Sequence, residues 1–309
     1  MFYTKDFIET AEGLCFAVVA NGLEDGKVLC FLRYVKTEQT WQKTATEQAN
    51  AFLKEHYPVY LHYSPNLDAH LHAVAVNSIV THYRPRQRLQ EIFAATKRDA
   101  IEQDLYELCQ LLAQQGVDLA QVGVTGSILP CLQNPSSDID LVCYERDVFH
   151  QCRAVTRELI ALRRLHALNE QDWLASYERR SCALNYGDYV WHERRKGNKA
   201  IINNRKFDLS FVAQTPVLEK SHFQKQGAII VCSRVVDDVL GFDYPAEFKL
   251  DHKHFSSVVS FSATYTGQVV KGEMVEISGL IEASDCGTKR LVVGSSREAS
   301  GEYIKVIRG

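Results

Sequence analysis

The 309-residue sequence has no CxxC pair, no excess of basic charge, no long apolar run and no internal repeat. Each absence removes a class of protein. The nine cysteines stand singly at 15, 30, 109, 131, 143, 152, 182, 232 and 286. Their number is odd and most sit in apolar runs, so they read as reduced, packed thiols and not as a disulfide framework. A formal net charge of −3 argues against a surface coated for nonspecific nucleic-acid binding, while leaving room for a local basic patch. No stretch approaches the roughly 18 apolar residues of a membrane span. The opening MFYTKDFIETAEG carries acids where a secretion signal needs a basic end and an apolar core. A cytoplasmic protein without a membrane partner is expected.

Two further motifs are missing. Gly22, Gly26 and Gly116 build neither a GxGxxG nor a Walker loop. Gly-Val-Thr-Gly-Ser-Ile around Ser127 lacks the second glycine of a hydrolase nucleophile elbow.

What is present is an ordinary globular composition, 46% hydrophobic and 24% charged, in a chain long enough for two or three domains. Residues 1–85 read as a small mixed α/β unit. It has strands at Leu14–Val19 and Val28–Val35, a turn-rich loop over 21–26, and a helix from Thr46, as its cap, to His56. Residues 86–222 read as the catalytic domain. Helical periodicity runs from Arg86 to Gln115 with a stop at Gly116, and again from Arg146 to Leu168. Residues 223–309 hold short β-type runs at 228–232, 257–264, 274–281, 290–293 and 303–307, separated by glycine turns, and read as a small β-barrel. The expected fold class is α/β in the α+β sense: a mixed sheet with helices, flanked by the amino-terminal unit and the barrel.

The chemistry concentrates in Val122–Tyr144, VGVTGSILPCLQNPSSDIDLVCY. An apolar strand runs into Gly126-Ser127, and a second strand carries Asp138 and Asp140. Side chains two apart share a face, so these carboxylates form a pair, while Ile139, Leu141 and Cys143 turn to a core. Paired acids at a strand edge suit a hard divalent cation. Asp208 lies on another alternating strand, Phe207–Val212. Gly126 lets backbone approach a phosphate, and Ser127 offers a hydroxyl and an N–H. Arg194, Arg195, Lys196, Lys199, Arg205 and Lys206 precede Asp208 and are the expected phosphate cations.

Gly126-Ser127 followed by Asp138-Ile139-Asp140-Leu141 resembles the signature of the polymerase-beta-like nucleotidyltransferase superfamily. The match spans residues 117–212. More loosely, the whole chain is similar to predicted nucleotidyltransferases common in archaea, including the segments Val235-Val236-Asp237-Asp238 and Val293-Gly294-Ser295-Ser296-Arg297-Glu298. The resemblance implies a mixed sheet backed by helices and Asp138, Asp140 and Asp208 as metal-binding carboxylates. It also implies Mg²⁺, as two ions, with Mn²⁺ as an alternative, and a nucleoside triphosphate contacted by Gly126 and Ser127. The chain departs from tRNA end-adding enzymes in lacking their arginine-rich motif and helical body, and from repair polymerases in lacking paired helix-hairpin-helix elements.

The expected activity is transfer of a nucleoside monophosphate to a hydroxyl of RNA, protein or a small molecule, releasing pyrophosphate. The alternative is an idle nucleotide- or RNA-binding module that kept the fold. RNA could dock on the barrel through Phe242, Tyr244, Phe248, Phe255, Phe261, Tyr265 and Tyr303, with Lys249, Lys253, Lys271 and Lys305 nearby, though Asp237, Asp238, Asp243, Glu273 and Glu276 oppose it. Histidines at 62, 70, 72 and 82 could bind a metal, although hydrogen-bonded or surface histidines are the simpler reading. His252 and His254 read as a surface pair.

Overall fold

Alternation of apolar and polar side chains lays out the first sheet. In the computed structural model, which describes residues 1–38, 40–214, 223–285, 287–296 and 299–308, that sheet has seven strands. They are β1 (Phe7–Thr10), β2 (Leu14–Val18), β3 (Lys27–Lys36), β4 (Trp41–Lys43), β5 (Leu61–Ser64), β6 (Ala69–Ala75) and β7 (Ile79–Tyr83). The path is β5-β6-β3-β2-β1-β7, with β4 on β3. The β2–β3 hairpin expected from the sequence pairs Leu14 with Val35 and Val18 with Cys30. Helix α1 (Thr46–His56) is capped at Ala45, one residue before the expected Thr46. The domain boundary expected near 222, Cys286 and the Arg297-Glu298 pair fall outside the described residues.

Two helices, α2 (Pro85–Ala94) and α3 (Ala100–Gln114), carry the periodicity of 86–115. Asp99 caps α3, its carboxylate accepting the N–H groups of Ile101 and Glu102 at 2.8 Å each. A four-stranded sheet follows in the order β10-β11-β9-β8, built from β8 (Val122–Thr125), β9 (Ile139–Cys143), β10 (Lys199–Ile202) and β11 (Arg205–Phe211). Helix α4 (Arg146–Ala161) buries Phe149, Cys152, Val155 and Leu159.

The chain divides into two compact units. The first comprises residues 1–65, 70–166 and 200–219, so the amino-terminal sheet and the four-stranded sheet fold together. Phe7, Cys15 and Tyr34 of the first sheet pack on Leu129, and Asn21 donates to the carbonyl of Ala213 at 2.7 Å.

The second unit takes residues 66–69, 167–199 and 220–309. It contains α5 (Glu170–Arg180), α6 (Tyr186–Lys196), β12 (Phe223–Asp237), β13 (Ala246–Asp251), β14 (Ser257–Ser260), β15 (Met274–Ser284), β16 (Lys289–Val293) and β17 (Tyr303–Val306). Residues 167–199, expected with the domain of 86–222, thus group with the barrel. The reason is packing: Trp173, Leu184, Tyr189 and Val190 share a core with Val235, Phe248, Val258, Ile277 and Leu291.

The expected barrel is present and closed. Its order is β12-β13-β14-β16-β15, with β15 pairing back to β12 and β17 added on β15. β14 and β16 are parallel and the other ladders antiparallel. Gly279 is required where β15 crosses β16, because a Cβ there would meet the Val292 carbonyl oxygen at 2.3 Å. Phe248, Phe255 and Tyr265 lie in this core and are not stacking platforms. The mixed architecture is therefore α+β, with six α-helices and three sheets among the described residues. None of those helices is long and apolar enough to cross a membrane.

Trp173→Ala should cost about 3–5 kcal/mol, the usual range for emptying a large aromatic site in a core. A urea titration reads this as a lower midpoint. An unchanged midpoint would contradict the packing of α5 into the barrel core.

Candidate active site

Strands β9 and β11 run parallel and in register. Ile139 lies opposite Phe207, Asp140 opposite Asp208, Leu141 opposite Leu209 and Cys143 opposite Phe211. Alternation then decides the faces: Phe207, Leu209 and Phe211 are buried, as are Ile139 and Leu141, while Asp140 and Asp208 are half-buried on the other face, where Val142 is buried as well. Adjacent strands lie about 4.8 Å apart, so the two carboxylates stand side by side at one level. At an effective dielectric near 20, two unit charges about 5 Å apart repel by about 3 kcal/mol. On the other side of Asp140, antiparallel β8 places Thr125 opposite it. One row across three strands therefore reads Thr125, Asp140, Asp208.

Gly126 follows directly. Its φ of +67° lies in the left-handed region, and a Cβ built on it would come within 2.2 Å of Asp140 Oδ2. Glycine is thus required twice, for the turn and for the room Asp140 occupies. Ser127 Oγ donates to Ser137 Oγ at 3.0 Å, and Ser137 Oγ also accepts the N–H of Asn134 at 3.0 Å. The Gly-Ser turn is thereby fastened to the loop that delivers Asp138.

Asp138 itself is corrected by one position. It is the last residue of that loop, and β9 begins at Ile139. The pairing explains this: the ladder with β11 starts at Ile139 and the one with β8 ends at Asp140, so position 138 has no cross-strand partner in either.

The basic residues divide. Arg205 belongs to the first unit, where Nε donates to Asp104 at 2.7 Å and Nη1 to the carbonyls of Pro135 and Ser137 at 3.1 and 2.7 Å. It holds the 128–137 loop in place. Lys206 sits beside it on β11, half-buried. Arg194, Arg195, Lys196 and Lys199 belong to the second unit and meet its own acids. Arg194 lies 3.5 Å from Glu170 at the surface, and Arg195 donates to Glu273 at 2.5 Å while stacking over Trp191. Lys196 Nζ donates to Glu193 at 2.5 Å and to the Thr264 carbonyl at 2.6 Å, and Lys199 pairs with the same Glu193.

Burial of Glu193 would raise its pKa, but the Lys196 and Lys199 ammonium groups more than offset this and hold it at about 2. Burial brings Lys196 down to about 8 against the opposing pull of Glu193. At neutral pH the cluster is an ionised structural lock.

The histidines are structural as well. His62 bonds Glu24 at 2.8 Å, His82 bonds Asp6 at 2.7 Å, and His70 packs on Tyr63. Buried His72 accepts the Leu32 N–H at 2.9 Å through Nδ1 and meets Asn50 at 2.8 Å through Nε2. Each is satisfied separately. His254 N–H donates to His252 Nδ1 at 3.2 Å, with His254 exposed and His252 half-buried.

Three contributors escaped the sequence reading: Thr125, Ser137 and the loop-holding role of Arg205. The one local signal was Ser137 exactly ten residues beyond Ser127, and the partners of the other two are distant in sequence.

The comparisons with known proteins come to one relation. No family model and no solved structure matches the chain. The uncharacterised protein MJ1086 of Methanocaldococcus jannaschii is 32% identical over 335 aligned positions, which cover 98% of each chain. The chain belongs to the MJ1086 family. The shared extent takes in the residues of both compact units.

The resemblance of residues 126–141 to nucleotidyltransferases implies a divalent cation, and the donors suit one: hard carboxylate oxygens, with Asp140 lying in the room that any side chain on Gly126 would take. Among the described residues, no three His, Cys, Asp or Glu side chains form a complete metal cage. Mg²⁺ usually takes one or two carboxylates and completes its shell with water and substrate phosphates, so a pair is sufficient.

Glu193→Gln leaves two buried lysines uncompensated and should destabilise by about 3–5 kcal/mol at pH 7. The unfolded chain protonates Glu193 near 4.5 and the folded chain only near 2. Unfolded protein therefore binds more protons in that window, and this contribution is lost as pH falls from 4.5 towards 2. Denaturant curves should show the gap between parent and variant closing over that range. A gap independent of pH would contradict the lock.

Proposed function

We propose that the chain is a metal-dependent nucleotidyltransferase, moving a nucleoside monophosphate from a nucleoside triphosphate to a hydroxyl of RNA, a protein side chain or a small molecule. The supporting observation is the in-register Asp140–Asp208 pair beside a glycine whose missing side chain leaves room for Asp140. Such a pair is costly alone and would be favourable around a divalent cation.

In this reading Asp140 and Asp208 hold Mg²⁺, or Mn²⁺, and Asp138 joins them from the loop. When bound, the metal spreads positive charge over the phosphate oxygens and the entering and leaving oxygens. Gly126 admits a phosphate close to backbone, and Ser127 donates to it. The acceptor oxygen attacks the α-phosphorus, the α–β phosphoanhydride bond breaks, and pyrophosphate leaves. Asp208 takes the proton of the attacking hydroxyl. The eight described cysteines form no disulfide, which fits a reducing cytoplasm as the place of work.

The acceptor is not to be sought on the barrel by aromatic stacking alone. The outward side chains of β13 are Glu247, Lys249 and Asp251, a mixed-charge row.

Replacing Asp140 and Asp208 together by Asn should lower transfer at least about a thousandfold, the several kcal/mol expected of a metal-bound transition state. Labelled triphosphates with a panel of hydroxyl acceptors provide the assay. Transfer by the double variant at the parent's rate would contradict the proposal.

A further inference from the structure

Of the cations expected to neutralise the triphosphate, Arg205 pairs with Asp104 and loop carbonyls, Arg195 with Glu273, and Lys196 and Lys199 with Glu193, while Lys206 shares the β11 face of Asp208. A triphosphate still needs positive charge on the Gly126-Ser127 side. The amino-terminal turn brings a lysine to that side.

Residues 3–6 form a tight, heavily fastened turn. Thr4 is buried, its N–H and its Oγ1 both donating to Asn21 Oδ1 at 2.8 Å. Asp6 is buried, its carboxylate accepting the Tyr3 N–H at 3.1 Å and meeting His82 at 2.7 Å. Between them Lys5 is exposed, with its N–H on the Val18 carbonyl at 3.1 Å. Its own carbonyl accepts Thr125 Oγ1 at 2.6 Å. Thr125 is the residue opposite Asp140 and immediately before Gly126. Lys5 is therefore tied by its backbone to the mouth of the phosphate-side turn.

Lys5 also has a φ of +75°. A lysine in the left-handed region is strained, which glycine would avoid. A second part of the same sheet approaches Asp140: Tyr34 on β3 packs against Leu129, and the Asp140 carboxylate is among the charges that reinforce burial in raising the Tyr34 phenol.

We propose that Lys5 binds the phosphates of the nucleoside triphosphate, so that the amino-terminal sheet supplies one wall of the active site. This rests on the nucleotidyl-transfer reading above. The flexible four-carbon stem carries a strongly hydrated point charge, suited to following a phosphate chain and not to a fixed planar contact.

The test uses full-length protein with Lys5→Gly and Lys5→Arg. Binding of a non-hydrolysable triphosphate with Mg²⁺ is followed by titration calorimetry, and thermal melting is followed alongside. Lys5→Gly should melt at or above the parent's temperature, because glycine relieves the backbone. It should nevertheless bind about 10- to 100-fold more weakly, the loss expected for a charge-assisted contact. That loss should shrink as NaCl is raised. Lys5→Arg should recover most of the affinity. A Lys5→Gly variant that binds as tightly as a binding-competent parent overturns the Lys5 assignment and leaves the transferase reading standing. A parent that binds no triphosphate overturns both. A Lys5→Gly variant that melts well below the parent assigns position 5 to the fold and also overturns the proposal.

Discussion

Two carboxylates at one level on neighbouring parallel strands are the constraint on which the site depends. Register fixes them there. Phe207, Leu209 and Phe211 on one strand and Ile139 and Leu141 on the other are buried, so neither strand can slip without turning its apolar set to solvent. Asp140 and Asp208 are thus held by the packing of their neighbours and not by any affinity for each other. Gly126 is matched to this pair, and the Ser127–Ser137 bond and Arg205 keep the intervening loop against it.

The amino-terminal sheet is part of the same unit. Its contacts with the catalytic strands run through Lys5 and Thr125, through Asn21 and Ala213, and through the cluster of Phe7, Cys15, Tyr34 and Leu129. The buried acids Asp6 and Glu24 are each satisfied by a histidine, which explains why histidines concentrate in this segment without making a metal centre. The second unit follows a different logic. The barrel closes by pairing β15 with β12, leaving β17 as its edge strand, and its core is completed by aromatic residues of two helices.

How much of this was legible in the sequence follows from which signals are local. Asp208 stood out because Phe207, Leu209 and Phe211 alternate around it, a period any strand imposes. The β2–β3 hairpin and the carboxy-terminal strands were legible for the same reason. Asp138 was placed one residue too far into its strand because strand ends are set by partners and not by composition. Helices α5 and α6 were missed since charged residues interrupt their apolar faces, which rest on Trp173, Tyr177, Tyr189 and Val190. Their caps were nevertheless written locally, with Asn169 accepting the Asp172 N–H and Asn185 that of Asp188. Strand β13 was overlooked although Ala246, Phe248 and Leu250 alternate with Glu247, Lys249 and Asp251. In the basic run before Asp208 the pairing partners were not legible: Asp104 and Glu273 lie 101 and 78 residues from Arg205 and Arg195, and no local pattern announces them.

The account turns on whether the Asp140–Asp208 pair takes up a divalent ion together with a nucleoside triphosphate. Electron paramagnetic resonance of Mn²⁺ titrated into the full-length chain, with and without a non-hydrolysable triphosphate, measures this directly. The predicted result is stoichiometric Mn²⁺ uptake that tightens when the triphosphate is present and is lost in Asp140→Asn. Mn²⁺ that stays free in both conditions, or binding unaffected by Asp140→Asn, would contradict it.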